Sequence, residues 1–234
     1  MRDDSSTAEA FARLAQELHG EHGVTETVEA VLQFALSAVG CGYAGLVLAG
    51  GSGILRTAAA TDPLIELSDQ LQLDTGVGPA YAMIADGAEF LLVPDSCQEI
   101  RWPAWSTGIA QLGLRSVLTV RLAVNGGTLG VLQLFDRRPH AFQPADEEVA
   151  YVLAQHASVA VASAQDQASL WQAADAHKLV GQAQGILMER LGIDGRQAFG
   201  VLRRYSQEHS VRLHEVALLL TETRRLPVDS LVTQ

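Results

Sequence analysis

The chain has 234 residues, which is room for two domains, and its 48% hydrophobic and 18% charged residues are proportions of a globular protein. A formal net charge of −11 excludes a generic nucleic-acid binder whose whole surface is basic. The sequence has no apolar run of membrane-span length and no basic-then-apolar signal pattern at its start. We therefore expect a cytoplasmic protein that does not associate with membranes.

The first 165 residues alternate between helical and strand patterns. Two amphipathic helices are predicted at residues 8–19 and 25–39, followed by a hairpin in which the strands YAGLVLAG and ILRTAAA flank a GGSG turn. Further helices are predicted at residues 62–71, 78–86 and 105–112, with the short strand EFLLVPD before the last of them. The segment SVLTVRLAVNGGTLGVLQLFD contains two more strands, joined at the strong turn dipeptide Asn-Gly. This order predicts an α+β fold, an antiparallel sheet with helices packed against it.

The same order resembles a GAF domain, a sensory α+β module. The more specific part of the resemblance is the closing pattern at residues 113–161, and residues 76–95 also fit. The resemblance implies a GAF sensory domain over residues 8–165 that ends in a long helix. GAF domains bind cyclic nucleotides, tetrapyrroles, other small molecules or nothing, so the resemblance leaves a small-molecule ligand open. Trp102 and Trp105 either line a cleft or, as we favour, cap the core.

None of these ligand chemistries is indicated by particular residues. The Asn-Lys-Phe-Asp-Glu signature of cyclic-nucleotide binders is absent. Cys41 and Cys97 are too few for a disulfide scaffold or a four-cysteine zinc site, and we interpret both as buried structural thiols, although Cys97 lies in a loop where a bilin could attach. Neither His140 nor His156 is placed as a haem ligand would be. We therefore predict no tightly held cofactor, no metal site and no catalytic residues.

One long helical stretch is predicted to follow the sheet. Pro144 suits its first turn, and the acidic residues after it suit the positive end of a helix dipole. Apolar and small residues then recur at spacings of three and four as far as Val180, in a partial heptad interrupted by Ser163 and Asp166. We expect a helical linker at residues 166–174 and a marginal parallel dimer seam between Ser163 and Val180. The alternative is a terminal helix packed only on the sheet.

Residues 175–226 are predicted to form three short helices, followed by a disordered tail at residues 227–234. The first helix ends before Gly192, and the second begins at Asp194, an N-cap with Gln197 as its capping-box partner. The third helix follows Ser210. The predicted apolar faces comprise Leu179, Ala183, Ile186 and Leu187, then Ala198, Phe199, Leu202 and Tyr205, then Leu213, Val216, Ala217 and Leu220. A unit this small needs a neighbour or a dimer partner for stability.

Basic residues are concentrated in this last part of the chain. Residues 171–234 hold 8 basic and 7 acidic residues, whereas residues 1–170 hold 8 basic and 20 acidic residues. Four arginines cluster around the second helix and the turn after it, and Lys178, the only lysine, opens the first helix. Tyr205 directly follows one arginine pair. Arginine beside an aromatic ring suits RNA, because guanidinium groups pair with phosphate and stack on unpaired bases. The alternative is a solvated helix face with a core tyrosine.

The segment VGQAQGILMERLGIDGRQAFGVLRRYSQ resembles the ANTAR domain, a three-helix RNA-binding module of bacterial transcription antiterminators. The resemblance covers residues 175–226 and is dense in the Gly-Gln-Ala block at residues 181–183 and in the Leu-Arg-Arg-Tyr-Ser block at residues 202–206. Gln184 departs from the family pattern, which often has a lysine there, so one phosphate contact is absent. By this resemblance the RNA-binding residues are Lys178, Gln182, Arg196, Arg203, Arg204, Tyr205, Ser206 and Arg212.

The two resemblances together imply a regulator without catalytic activity, in which a GAF sensor controls an ANTAR domain. Its RNA partner would be a pair of short stem-loops in a leader transcript, and binding alone would shift which RNA structure persists. A homodimer would hold two loops at once. One alternative is a GAF signalling protein whose C-terminal helices mediate protein contacts. Another is a thiol-dependent methionine sulfoxide reductase, which two cysteines without a matching third disfavour.

Overall fold

The computed structural model describes residues 23–50 and 54–225. The helix predicted at residues 8–19, most of the GGSG turn and the tail at residues 227–234 lie outside the described residues. The chain divides into two compact units, with the boundary between Asp166 and Gln167. Within the described ranges no helix is both long and apolar enough to cross a membrane.

The described elements follow the predicted order. They are α1 (Val24–Val39), β1 (Tyr43–Ala49), β2 (Leu55–Ala60), α2 (Pro63–Thr75), α3 (Pro79–Asp86), β3 (Phe90–Val93), a 3-10 turn (Ser96–Gln98), α4 (Pro103–Gln111), β4 (Ser116–Val124), β5 (Gly127–Asp136), α5 (Pro144–Leu191), α6 (Gly195–His209) and α7 (Leu213–Thr223). The α+β prediction is confirmed.

The N-terminal unit is built on a five-stranded antiparallel sheet of order β2-β1-β5-β4-β3. The β4–β5 hairpin turns at Asn125 and Gly126, whose positive φ values of 52° and 80° suit the tight turn that was predicted there. Strand alternation sends one set of side chains to each face. One face packs on α1 and the first half of α5, and the other packs on α2, α3 and α4.

Trp105 is fully buried among the apolar residues between α4 and the sheet. Trp102 packs against it edge to face, with ring centroids 5.9 Å apart. The tryptophan pair therefore belongs to the core, as we favoured from the sequence.

Helix α5 packs on the sheet through a buried row that ends at Val161, and Ala164 is also buried. The residues of the predicted heptad seam lie mostly elsewhere on the helix. Val159 is 67% exposed and Leu170 71%, and Trp171, which is not part of the heptad pattern, is 72% exposed. The interrupting residues Ser163 and Asp166 are exposed as well.

The C-terminal unit is held by local signals that the sequence displays. Asp194 accepts from the Gln197 N–H while the Gln197 side chain accepts from the Asp194 N–H, which is the predicted capping box. Gly192, with a φ of 64°, follows the end of α5 as predicted. A small core joins the three helices, formed by Ala183, Leu187, Ala198, Leu202, Val216, Ala217 and Leu220.

Phe199 is 37% exposed, so its prediction as a core residue is wrong. The buried side of α6 is centred on Ala198 and Leu202, which are four residues apart and stand one above the other. Phe199 is the next residue after Ala198, so its side chain is turned about 100° from Ala198 and about 60° from Leu202, to the edge of the buried row.

Candidate nucleic-acid interface

The predicted RNA-binding residues divide into two groups. Exposed side chains belong to Lys178, Gln182, Arg196, Arg203, Arg204 and Arg212. Tyr205 and Ser206 are half-buried. Arg196, Arg203 and Arg204 lie on helix α6, Lys178 and Gln182 lie on α5, and Arg212 precedes α7, so the exposed group is contributed by all three helices of the unit.

Helix α6 presents an arginine face, which we define as Arg196, Gly200, Arg203, Arg204 and Gln207. Arg196, Gly200, Arg203 and Gln207 are separated by four, three and four residues, and Arg204 lies four residues after Gly200. These spacings place all five positions on one side of the helix, opposite the buried row. A Cβ atom added at Gly200 would have no neighbour within 4 Å, so packing does not require glycine there. Glycine inside a helix costs about 1 kcal/mol relative to alanine. The arginine face is therefore an open surface with bare backbone at its centre.

The arginines of the N-terminal unit give a useful contrast, because several are neutralised by neighbours. Ion pairs join Arg101 to Glu99 at 2.5 Å, Arg115 to Asp95 at 2.8 Å and Arg138 to Asp136 at 2.8 Å. Hydrogen bonds from these guanidinium groups lower the pKa of each of the three carboxyl groups. An incoming phosphate would have to compete with those carboxylates.

In the described part of the C-terminal unit, by contrast, Arg196, Arg203, Arg204 and Arg212 form no ion pair. Their charge is not satisfied by any carboxylate among the described residues. Charge-assisted hydrogen bonds from arginine to phosphate can then form without breaking an internal pair. The arginine face and Arg212 are consequently available to an anionic ligand.

Ser206 has a structural task that its sequence position did not reveal. Its hydroxyl donates to the Val211 carbonyl at 2.6 Å, and the Val211 N–H donates to the Ser206 carbonyl at 3.1 Å. Between them Ser210 takes a left-handed φ of 54°. Ser206 therefore holds the turn between α6 and α7, and the proton of its hydroxyl is already engaged.

Tyr205 packs against the small core, on the side of α6 away from the arginine face. Its ring also stacks on the ring of His209, with centroids 4.1 Å apart and planes 14° from parallel. We did not predict a role for His209 from the sequence, although a residue four positions after a tyrosine on a helix lies on the same side of that helix. The spacing was therefore a usable signal.

Gln184, the departure from the family pattern, has a clear role in this chain. Its side-chain amide donates to the Gly195 carbonyl at 2.9 Å and so ties α5 to the start of α6. Arg190 makes a comparable link, donating to the Arg224 carbonyl just after α7. Both side chains fix the geometry of the unit from within.

The two cysteines of the N-terminal unit differ from each other. Burial raises the pKa of the Cys41 thiol to about 12, so this thiol stays protonated at neutral pH. Cys97 is exposed, and its prediction as a buried thiol is wrong because the single 3-10 turn points Ser96 inward and Cys97 outward. Cys97 lines an open groove of about 520 Å³ beside α4. The described residues contain no group of three or more His, Cys, Asp or Glu side chains that could hold a metal ion.

A buried polar network lies under helix α2, and we did not predict it from the sequence. Asp69 accepts hydrogen bonds from Thr57 and from Gln133, each at 2.8 Å. Gln72 donates to Gln133 at 3.0 Å and accepts from the Ala80 N–H at 2.8 Å. Burial raises the pKa of Asp69 to about 6, against the lowering effect of these two donors. Asp69 therefore titrates close to neutral pH inside the sheet-and-helix core.

Fold and site together define a two-domain chain, an α+β unit followed by a three-helix unit with an unneutralised arginine face. The model of the GAF domain matches residues 24–161, and the model of the ANTAR domain matches residues 168–220. The chain therefore belongs to the GAF domain family and has the GAF–ANTAR architecture, in which a sensor domain precedes an RNA-binding antiterminator domain. A comparison with curated proteins finds no match.

Solved structures share the fold over 72% to 94% of this chain. The GAF domain of an Acinetobacter phosphoenolpyruvate-protein phosphotransferase is 15% identical, with a TM-score of 0.55 over 72% of this chain and 99% of that chain. Free methionine-R-sulfoxide reductase from Neisseria meningitidis, solved with its substrate, is 20% identical, with a TM-score of 0.55 over 72% of this chain and 95% of that chain. The photosensory core module of Stigmatella aurantiaca phytochrome is 12% identical, with a TM-score of 0.58 over 94% of this chain and 46% of that chain. At these identities the likeness concerns the fold alone.

Proposed function

We propose that this protein is a transcription antiterminator that binds stem-loops in leader transcripts through its ANTAR domain, under the control of its GAF domain. The observation that carries the proposal is the arginine face of α6, which is exposed and free of ion pairs in the described residues of an ANTAR domain. Lys178, Gln182 and Arg212 extend the proposed RNA-binding surface.

Antitermination by this route requires only that the protein bind one RNA structure more tightly than the competing structure. A protein that binds one RNA fold and not its competitor stabilises that fold by about 2.7 kcal/mol when present at 100 times its dissociation constant. That is roughly a hundredfold shift between a bound stem-loop and a competing terminator hairpin. No bond is made or broken, and we assign no catalytic residue.

Two observations support a non-catalytic role for the GAF domain. A thiol-based reductase needs an accessible thiolate, and the Cys41 thiol stays protonated at neutral pH. Cys97 is exposed, but Cys41 is the only other cysteine in the chain, so Cys97 has no second thiolate with which to form a disulfide. We therefore propose that the GAF domain shares its fold with a methionine sulfoxide reductase but does not catalyse that reaction.

A homodimer is part of the proposal, because two ANTAR domains could then hold two loops of one transcript. Leu170 and Trp171 are both more than 70% exposed on α5, which is unusual for side chains so apolar. Pairing of two α5 helices would cover this surface. Two linked modules also gain affinity from their effective concentration.

Crosslinking the protein to RNA in cells, followed by sequencing of the RNA that copurifies, tests the proposed function. We expect enrichment of short leader segments that contain loops. A variant with Arg203→Ala and Arg204→Ala, purified in parallel, should lose that enrichment. Uniform recovery of bulk RNA by both proteins would contradict the proposal, since it would indicate nonspecific charge binding.

A further inference from the structure

The end of helix α6 carries a pair of stacked rings that the proposed function has not used. The imidazole of His209 lies 4.1 Å from the phenol ring of Tyr205, centroid to centroid, with an angle of 14° between the planes. Tyr205 is half-buried against the small core, whereas His209 is exposed. The pair therefore has a supported inner ring and a solvent-facing outer ring.

The outer ring is also fixed in orientation. His209 Nδ1 lies 3.0 Å from the Tyr205 carbonyl oxygen. A carbonyl oxygen only accepts hydrogen bonds, so Nδ1 carries the hydrogen and the ring is held by both a stack and a hydrogen bond. A side chain held in this way loses little conformational freedom when a ligand stacks on it.

We propose that His209 is a stacking platform for one unpaired base of the bound RNA, an inference that rests on the proposed function. One face of the imidazole covers the Tyr205 ring, and among the described residues no second ring and no cation covers the opposite face of this exposed side chain. A flat, solvent-facing ring of this kind suits the π-face of a nucleobase, and stacking on it tolerates any base. Arg212, the N-cap of α7, follows three residues later. It is exposed and free of ion pairs in the described residues, so a phosphate of the same strand has a nearby partner.

This assignment specifies the form of RNA that is recognised. Bases inside a duplex are already stacked on their neighbours and cannot reach a side-chain ring, whereas loop bases can be splayed out. The Tyr205–His209 pair therefore selects a loop over a stem. The arginine face, which addresses phosphate, does not make that distinction.

The test uses the full chain and two RNAs: a leader stem-loop recovered by crosslinking, and its stem alone as a blunt duplex. His209→Ala should weaken the affinity for the stem-loop by roughly 5- to 100-fold, the size of one base stack. The same variant should bind the duplex with the affinity of the wild type. His209→Phe keeps a flat ring and should stay within about twofold of the wild type on both RNAs. His140→Ala is the matched control, since His140 is an exposed histidine of the N-terminal unit and has no ring contact among the described residues.

Circular dichroism of each variant checks that the helices are retained. Unchanged stem-loop affinity in the His209→Ala variant would overturn the inference while leaving RNA binding in place. An equal loss of affinity on the stem-loop and the duplex would also overturn it, because a loop-specific interaction cannot act on a duplex. If the wild type bound neither RNA, the proposed function itself would fail and the stacking site with it.

Discussion

Arg203 and Arg204 are the residues on which the RNA-binding account depends most directly. Both are exposed, so changing both to alanine should leave the fold intact while weakening RNA binding. For every phosphate that is no longer bound, the log–log salt dependence of the affinity should also become flatter by about 0.7 to 1. Titration of RNA at several salt concentrations measures both effects.

Arg56 provides the control for that pair, since it is an exposed arginine of the GAF domain. Arg56→Ala removes a positive charge from the same chain and should change neither the affinity nor the slope. Unchanged affinity and slope in the folded Arg203→Ala, Arg204→Ala variant would place the RNA surface elsewhere.

Substitutions at Tyr205 distinguish a structural role of this residue from a direct polar interaction with RNA. Because its ring packs against the small core, Tyr205→Phe should keep both the stability and the RNA affinity of the wild type. Tyr205→Ala should lower the stability of the C-terminal unit by about 2 kcal/mol, since a half-buried aromatic ring is removed. Thermal unfolding and RNA titration of both variants distinguish the roles. Loss of RNA binding in the stable Phe variant would show instead that the hydroxyl binds RNA.

Asp69 should make the stability of the GAF domain depend on pH. Its pKa is raised from about 3.9 in an unfolded chain to about 6 in the folded protein, mainly by burial. The folded state then holds the proton more tightly, so this contribution is fully present below pH 4 and is lost as the pH rises through 6. A shift of about two pKa units corresponds to on the order of 3 kcal/mol.

Asp69→Asn removes this titration, and the comparison is best made in a Trp171→Phe background. The two remaining tryptophans, Trp102 and Trp105, then both report on the N-terminal unit. Urea unfolding of both proteins should show that the wild type loses on the order of 3 kcal/mol more than the Asn variant between pH 4 and pH 7. If the difference in unfolding free energy between the two proteins stayed constant across that range, folding would not raise the pKa of Asp69.

At the scale of elements, helix α5 is the candidate for passing a signal from the sensor to the RNA-binding domain. Ser163 and Asp166 occupy positions where a firm coiled coil would have apolar residues, and an Asp pair buried in a dimer seam would cost several kcal/mol. Changing both residues to leucine should therefore tighten a parallel dimer and raise RNA affinity without any GAF ligand. Sedimentation equilibrium and RNA titration measure the two effects on one protein.

Gln172→Leu with Asp175→Leu is the matched control for that substitution. Both residues are exposed, their spacing is again three, and both lie on the far side of α5 from Ser163 and Asp166. The control variant should change neither the dimer nor the affinity. A tighter dimer with unchanged RNA affinity in the Ser163→Leu, Asp166→Leu variant would show that α5 does not gate RNA binding.

The sequence predicted those elements whose signals are local. The capping box at Asp194, the Asn125-Gly126 turn and the order of strands and helices each depend on a few neighbouring residues. The polar network around Asp69 could not be predicted in that way, because its partner Gln133 is 64 residues away along the chain. The predicted burial of Phe199 and Cys97 was wrong for another reason. Apolar character does not determine which side of a short helix or turn a residue occupies.

At the scale of the whole molecule, charge separates the two ends of the chain. Residues 1–170 carry 20 acidic and 8 basic residues, and several of those arginines are held in ion pairs. Residues 171–234 carry 8 basic and 7 acidic residues, with the arginine face free of such pairs in the described part. An acidic body repels RNA, so binding is directed to the ANTAR domain.

Transcription across a leader followed by its terminator, with purified polymerase in a single round, tests the central claim most directly. The wild-type protein should raise the fraction of transcripts that read through the terminator, because it holds the competing stem-loop. The folded Arg203→Ala, Arg204→Ala variant should leave that fraction near its value without protein, and the Arg56→Ala variant should behave as the wild type. Equal read-through with the wild type and with the Arg203→Ala, Arg204→Ala variant would contradict antitermination through the arginine face.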